Sequence, residues 1–253
     1  RGVRAITGAS SSPAITHAAL DAMTAGWRRI DSIRAGISPG NRAPRGLSVV
    51  KAILSWVGAP VRVFEGGAWR TRAGWSGMRW RDIPGLGRRR FALAETPDLD
   101  LMPKRFAPRE DAVFTAGLEL ALLHAGVGAT GWMRHVGIVG DFRPIAGLLQ
   151  KLAMLFSPFG SDRGCMFVEA FGRDAADRPV RAAWTLVSPT VGGPFTQTLP
   201  ALAMVSAPLI NLAQQLRGWT DSVLGVAGPA TDMAIGIVKA RTSDPKKQAV
   251  IGR

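Results

Sequence analysis

Three short stretches of this sequence carry residues able to do chemistry. Residues 4–20 (RAITGASSSPAITHAAL) read as a strand end, a turn of small residues and a helix start. Such a turn gathers unpaired backbone N–H groups at the positive end of a helix dipole, which suits an anion or a cofactor. Ser12 fits the N-cap, and Pro13 fits the first helical position, where a missing N–H costs nothing. Plain capping would account for the serines equally well. His17 rides on the same helix, where a structural role is the plainer reading beside proton transfer.

The second stretch alternates Trp with Arg, in WRTRAGW at residues 69–75 and MRWR at 78–81. It could form a basic, aromatic platform for nucleotides or an anionic ligand. The expectation is instead an ordinary sheet with Arg stems lying over Trp rings. The third stretch, GVGATG at residues 126–131, is a literal G-x-G-x-x-G. A dinucleotide fingerprint needs a preceding strand and an acid about 20 residues on. Here the next acid, Asp141, comes ten residues after Gly131, too soon for a second strand and helix. The small residues are expected to let a helix pack closely on a neighbour.

Other chemistries find little to work with. No Ser–His–Asp order and no well-placed carboxylate pair stands out. His17, His124, His135 and Cys165 are too widely spaced for a metal site. One cysteine gives no disulfide framework and fits a reducing, cytoplasmic compartment. The net charge of +14 invites a nucleic-acid partner. However, 26 Arg against 6 Lys looks like codon bias, and the positive charge is dispersed. Its densest cluster, Arg88-Arg89-Arg90, is three residues long. That dispersal argues for a bland basic surface. Four prolines interrupt the uncharged stretch around residues 182–216, so it cannot be a spanning helix. Residues 199–213 are apolar enough for a buried or interfacial helix, which keeps peripheral membrane association as an alternative.

The elements that must position these residues follow from periodicity. Ile15, Ala18, Ala19 and Met23 share a face of the first helix, and residues 28–37 alternate as a strand with Ile30, Ile33 and Ala35 inward. A breaker-rich loop precedes a helix at 47–57 that buries Leu47, Val50, Ile53, Leu54 and Val57. From Val61 the pattern changes to strands of a more antiparallel layer, at 61–65 and 89–95. Residues 114–139 read as a short strand running into a long helix, 144–156 as a second helix, and 165–187 as a hairpin turning at Asp174-Ala175-Ala176-Asp177. The end of the chain, from about Gly218, is expected to be poorly ordered.

Residues 8–14 (GASSSPA), 38–54 (SPGNRAPRGLSVVKAIL), 94–101 (AETPDLDL) and 158–164 (PFGSDRG) together resemble bacterial saccharopine dehydrogenase-like oxidoreductases, in order, from about Val3 to Ala203. The resemblance implies an α+β chain: the end of a Rossmann-type α/β domain, then a mainly antiparallel sheet with helices packed on one face. Residues 1–58 would be the Rossmann remnant, 59–190 a substrate and dimerisation domain, and 191–253 a helical return segment and tail. It implies NAD or NADP as cofactor, hydride transfer to a small-molecule substrate, and a homodimer. The family's glycine-rich nucleotide turn would lie upstream of Arg1, so the chain is expected to be an inactive fragment. Ser10, Ser11 and Ser12 would face the nicotinamide end, and Asn41, Arg42 and Arg45 would lie over the substrate cleft, with Arg42 or Arg45 meeting a carboxylate or phosphate. The alternative is a non-catalytic binding or assembly module.

Overall fold

The computed structural model describes residues 9–188, 200 and 201. The expected opening strand and nearly all of 191–253, including the apolar stretch 199–213, lie outside the described residues. The rest is built on one eight-stranded sheet. At its centre is β1 (Arg29–Ser38), whose Ile-rich alternation buries Ile33 and Ala35. On one side it pairs in parallel with β6 (Asp111–Ala116), and on the other antiparallel with β7 (Gly164–Arg173). β7 forms the expected hairpin with β8 (Pro179–Ser188).

The outer edge of β6 is shared by two hairpins. Near its start, Ala112 meets Phe64 of β2 (Pro60–Glu65), which pairs with β3 (Ala68–Ala73). Near its end, Thr115 and Ala116 meet Leu93 and Ala92 of β5 (Gly87–Leu93), which pairs with β4 (Arg79–Ile83). Of these pairings only β1–β6 is parallel, so the sheet is mainly antiparallel and the α+β expectation holds. No break in the sheet falls at 58/59, because β1 lies between strands from the following segment.

Two helices cover one face. α1 (Thr16–Thr24) contributes Ala19, Leu20 and Met23, and α3 (Asp98–Phe106) contributes Leu99 and Met102; these pack on Ile33, Ala35, Ala112, Phe114, Val168 and Ala170. Leu20 takes the buried place expected of Ala18, which is exposed. On the opposite face Phe91 stands edge-on to Phe167, with ring centroids 5.2 Å apart. Gly36 of β1 makes room there, because a Cβ would sit 2.6 Å from the Phe167 ring. The other helices are α2 (Leu47–Trp56), α4 (Ala121–His135) and α5 (Ala146–Leu155). They pack largely on one another around Leu54, Phe142 and Ala146.

α3 is an element that the sequence pattern does not announce. Pro103 lies inside it and Asp alternates with Leu in its first turn, which disguises the 3.6-residue period. It nevertheless sets the local electrostatics. Ser12 donates from its hydroxyl to Asp98 rather than capping α1, whose regular turns begin at Thr16. His17 Nε2 lies 3.6 Å from Asp98 Oδ1, and neither atom has a hydrogen-bond partner. Burial pushes the Asp98 carboxyl from 3.8 up to about 6, against the hydrogen bond from Ser12. Burial, then the nearby Arg105 charge, holds His17 below its usual value.

Two outcomes follow for stability. Leu20→Ala removes a fully buried side chain and should cost about 2–5 kcal/mol in urea unfolding. Asp98 binds its proton more tightly folded than unfolded, so its effect is stabilising below about pH 4. That contribution is lost as pH rises to about 6, a swing of about 2–3 kcal/mol. Asp98→Asn keeps the acceptor for Ser12 and offers an N–H to His17. Unfolding free energies at pH 4, 5, 6 and 7 should therefore show the variant gaining on the parent as pH rises. A variant that loses ground toward pH 7 would show a paired, stabilising carboxylate instead.

Candidate functional site

The C-terminal ends of the parallel strands β1 and β6 meet the N-terminal end of β7, and a cavity of about 440 Å³ opens there. α2 forms one wall with Val49, Ala52 and Trp56, while Trp75, Phe114 and Met166 come from the sheet side. Strand ends are natural places for a site, because the chain leaves the ladder there and exposes loop donors. The lining is predominantly apolar, interrupted by Ser11, Ser38, Arg45, Glu95, Thr96, Asp162 and Ser188.

Arg45 is the cation of this lining. Its Nη2 donates to Gly40 O at 2.9 Å, which fixes the guanidinium across the loop from β1 to α2. Burial lowers its pKa, opposed by Glu119, yet an arginine stays charged at any physiological pH. Thr96 Oγ1 is buried with no hydrogen-bond partner among the described residues. Burial, followed by the Asp100 charge, raises the Glu95 carboxyl, against Arg62. Burial drives the Cys165 thiol up to about 11, so it is a neutral, unreactive wall residue. The site can therefore hold an apolar body with an anionic or hydroxylated end.

An ion pair between the buried Arg89 and the half-buried Glu119 shapes the rim. Glu119, in the turn after β6, accepts from Asn41 N at 2.6 Å, Ser161 N at 2.8 Å and Ser161 Oγ at 2.5 Å. Arg89 of β5, 3% exposed, reaches Glu119 at 3.2 Å, Ser38 O at 3.1 Å and Arg163 O at 2.9 Å. Burial alone would raise the Glu119 carboxyl, but the Ser161 and Asn41 hydrogen bonds with the Arg89 charge hold it below its usual value.

The residues expected at a site separate on this geometry. Ser11 and Arg45 line the same cavity. Ser12 is turned to Asp98, and Ser10 makes no side-chain capping bond. Asn41 is buried and spent on structure, its backbone N–H on Glu119 and its Nδ2 on Phe156 O at 2.9 Å. Arg42 is exposed and donates to Ser157 O and Pro158 O. His17 faces Asp98, and His124 accepts from Leu118 N while lying against Trp75. Gly126–Gly131 lie inside α4; Gly131 packs against Val57, where a Cβ would sit 3.1 Å from Cγ1, and Gly128 against Met78, whereas Gly126 is exposed with nothing near it. The Trp–Arg strands stack as expected: Arg62 lies 4.3 Å from the Trp69 ring centre and Arg90 4.5 Å from that of Trp80.

Sequence reasoning missed Glu119, Arg89 and Thr96. The Arg89 signal was present in the three-arginine run, but nothing local distinguishes the buried member. No group of three metal-binding side chains occurs among the described residues. No helix among them is long and apolar enough to cross a membrane.

No protein-family model matches the chain, and no curated protein matches it in sequence. Among solved structures, apo histidine-tagged saccharopine dehydrogenase (L-Glu forming) from Saccharomyces cerevisiae is similar at 12% identity with a TM-score of 0.49, over 79% of this chain and 64% of that one. The chain thus spans less than two thirds of that protein's length.

Proposed function

We propose that this chain is the substrate side of a saccharopine dehydrogenase-like, NAD(P)-dependent oxidoreductase, and that its cavity holds a mainly apolar substrate by an anionic group at Arg45. The observation that carries the reading is the shared cavity of Ser11 and Arg45, one expected toward the nicotinamide and the other toward a substrate carboxylate. Hydride transfer asks the protein chiefly to hold two reactants in line and exclude water. An apolar chamber with one fixed guanidinium does both for the substrate. The described residues supply no phosphate cradle, since the one glycine-rich run is helical. They fit a substrate rather than a whole dinucleotide, and no reaction step is assigned through the cofactor. Dimerisation belongs to the same proposal.

A second reading is a non-catalytic binding module, favoured by the predominantly apolar lining of the cavity. Decanoate serves as a probe for both, with Trp56 and Trp75 on the cavity wall as reporters. Titration should change tryptophan emission saturably, and Arg45→Met should weaken binding about 10–100-fold, the worth of a charge-assisted hydrogen bond. Unchanged affinity in Arg45→Met would overturn the assignment of the anion site. A parallel fluorescence titration with NADPH and NADH separates the readings. Dinucleotide binding that strengthens decanoate binding supports the oxidoreductase, whereas decanoate binding indifferent to both supports the module.

A further inference from the structure

The helical layer beside the cavity presents an unusual surface. On α5 and the turn before it, Ile145, Leu148, Leu152 and Leu155 recur at three- and four-residue spacing, and all four are 43–68% exposed. On α4 and just after it, Leu122, Gly126, Ala129, Trp132 and Val136 make a second exposed stripe without a charge. Rows of exposed apolar side chain of this kind mark interaction surfaces. Val49, Ala52 and Trp56 of α2 are likewise exposed, and they also line the cavity. α2 packs on α5, so this wall of the cavity adjoins the helix that carries the first stripe.

The charges along α4, α5 and the segment joining them are mainly basic. Residues 121–160 contain a single acid, Asp141, already paired with Arg143 at 2.8 Å. Lys51 on α2 and Lys151 on α5 are exposed and pair with no carboxylate among the described residues. Exposed Trp and Leu on α2 and α5, the helices that carry the free Lys51 and Lys151, match the interface of a bilayer carrying anionic headgroups. A second copy of this chain is a poorer occupant of this face, because it would set Lys51 and Lys151 against the same two lysines.

We propose that the exposed faces of α5 and α2 dock on anionic membranes and that the cavity takes an amphiphile from them, its chain passing over Trp56 and its anionic head meeting Arg45. Docking stands on the helix faces themselves; only the identity of the cargo rests on the function proposed above.

The test is flotation of the whole chain with phosphatidylcholine vesicles containing a quarter phosphatidylglycerol, beside vesicles of phosphatidylcholine alone. Binding to the anionic vesicles is expected, with clear loss in 0.5 M salt. The pair Leu148→Gln and Leu152→Gln changes only exposed positions, so circular dichroism and melting should be unaltered while vesicle binding falls about tenfold or more. The pair Lys51→Gln and Lys151→Gln should lose roughly tenfold on anionic vesicles only. A folded chain that does not float overturns docking, as does a stable dimer that the leucine pair dissociates. Decanoate binding retained in a chain that does not float would refute docking and leave the cavity function standing; flotation without decanoate binding would do the reverse.

Discussion

The Glu119–Arg89 ion pair is the constraint on which the site's shape depends. It joins four segments that are distant in sequence: the end of β1, β5, the turn after β6 and the loop before β7. A largely buried pair of this kind is not a cheap source of stability, because both charges give up water. Here almost every lone pair and N–H has a partner, so the cost is offset and the geometry is fixed. Removing one partner would leave an unpaired charge among backbone carbonyls or amides, and the loop carrying Asn41 and Arg45 would lose its anchor.

That anchor explains the division of labour in the 38–46 loop. Asn41 is held inward by Glu119 and Phe156, so it cannot reach a ligand. Arg45 lies farther along the loop, with its guanidinium steadied by the Gly40 carbonyl and its side turned to the cavity. The same loop thus supplies a structural pin and a binding group. Asp98, buried, and His17, half-buried, form a poorly matched pair between α1 and α3. It sits behind the Ser10–Ser12 turn and sets the turn's position rather than its chemistry.

The elements with strong period were legible in the sequence. The bounds of β1, α2 and the β7–β8 hairpin lie within a few residues of expectation, although Leu47, expected to be buried on α2, is exposed, and β7 is buried on both faces rather than one. α3 was not legible, since Pro103 and the Asp–Leu alternation conceal the pairing of Leu99 with Met102. Nor did the pattern give the place of β1 at the heart of the sheet, because parallel pairing with β6 depends on contacts nearly 80 residues away. For the site, residue type pointed to a basic loop and a serine turn. Selecting Ser11 over Ser12, or Arg45 over Arg42 and Asn41, required knowing where Asp98 and Glu119 stand. Charge counting was least informative: of the 32 basic residues, Arg89 is buried structure, several others stack on Trp or Phe rings, and Arg45 alone lines the cavity among the described residues.

The most direct measurement is a crystal structure of the chain soaked with decanoate. The account predicts a carboxylate within hydrogen-bond distance of the Arg45 guanidinium, with the alkyl chain lying between α2 and the strand ends, over Trp56. Decanoate bound only elsewhere, or a cavity that stays closed to it while another site fills, would contradict the central claim.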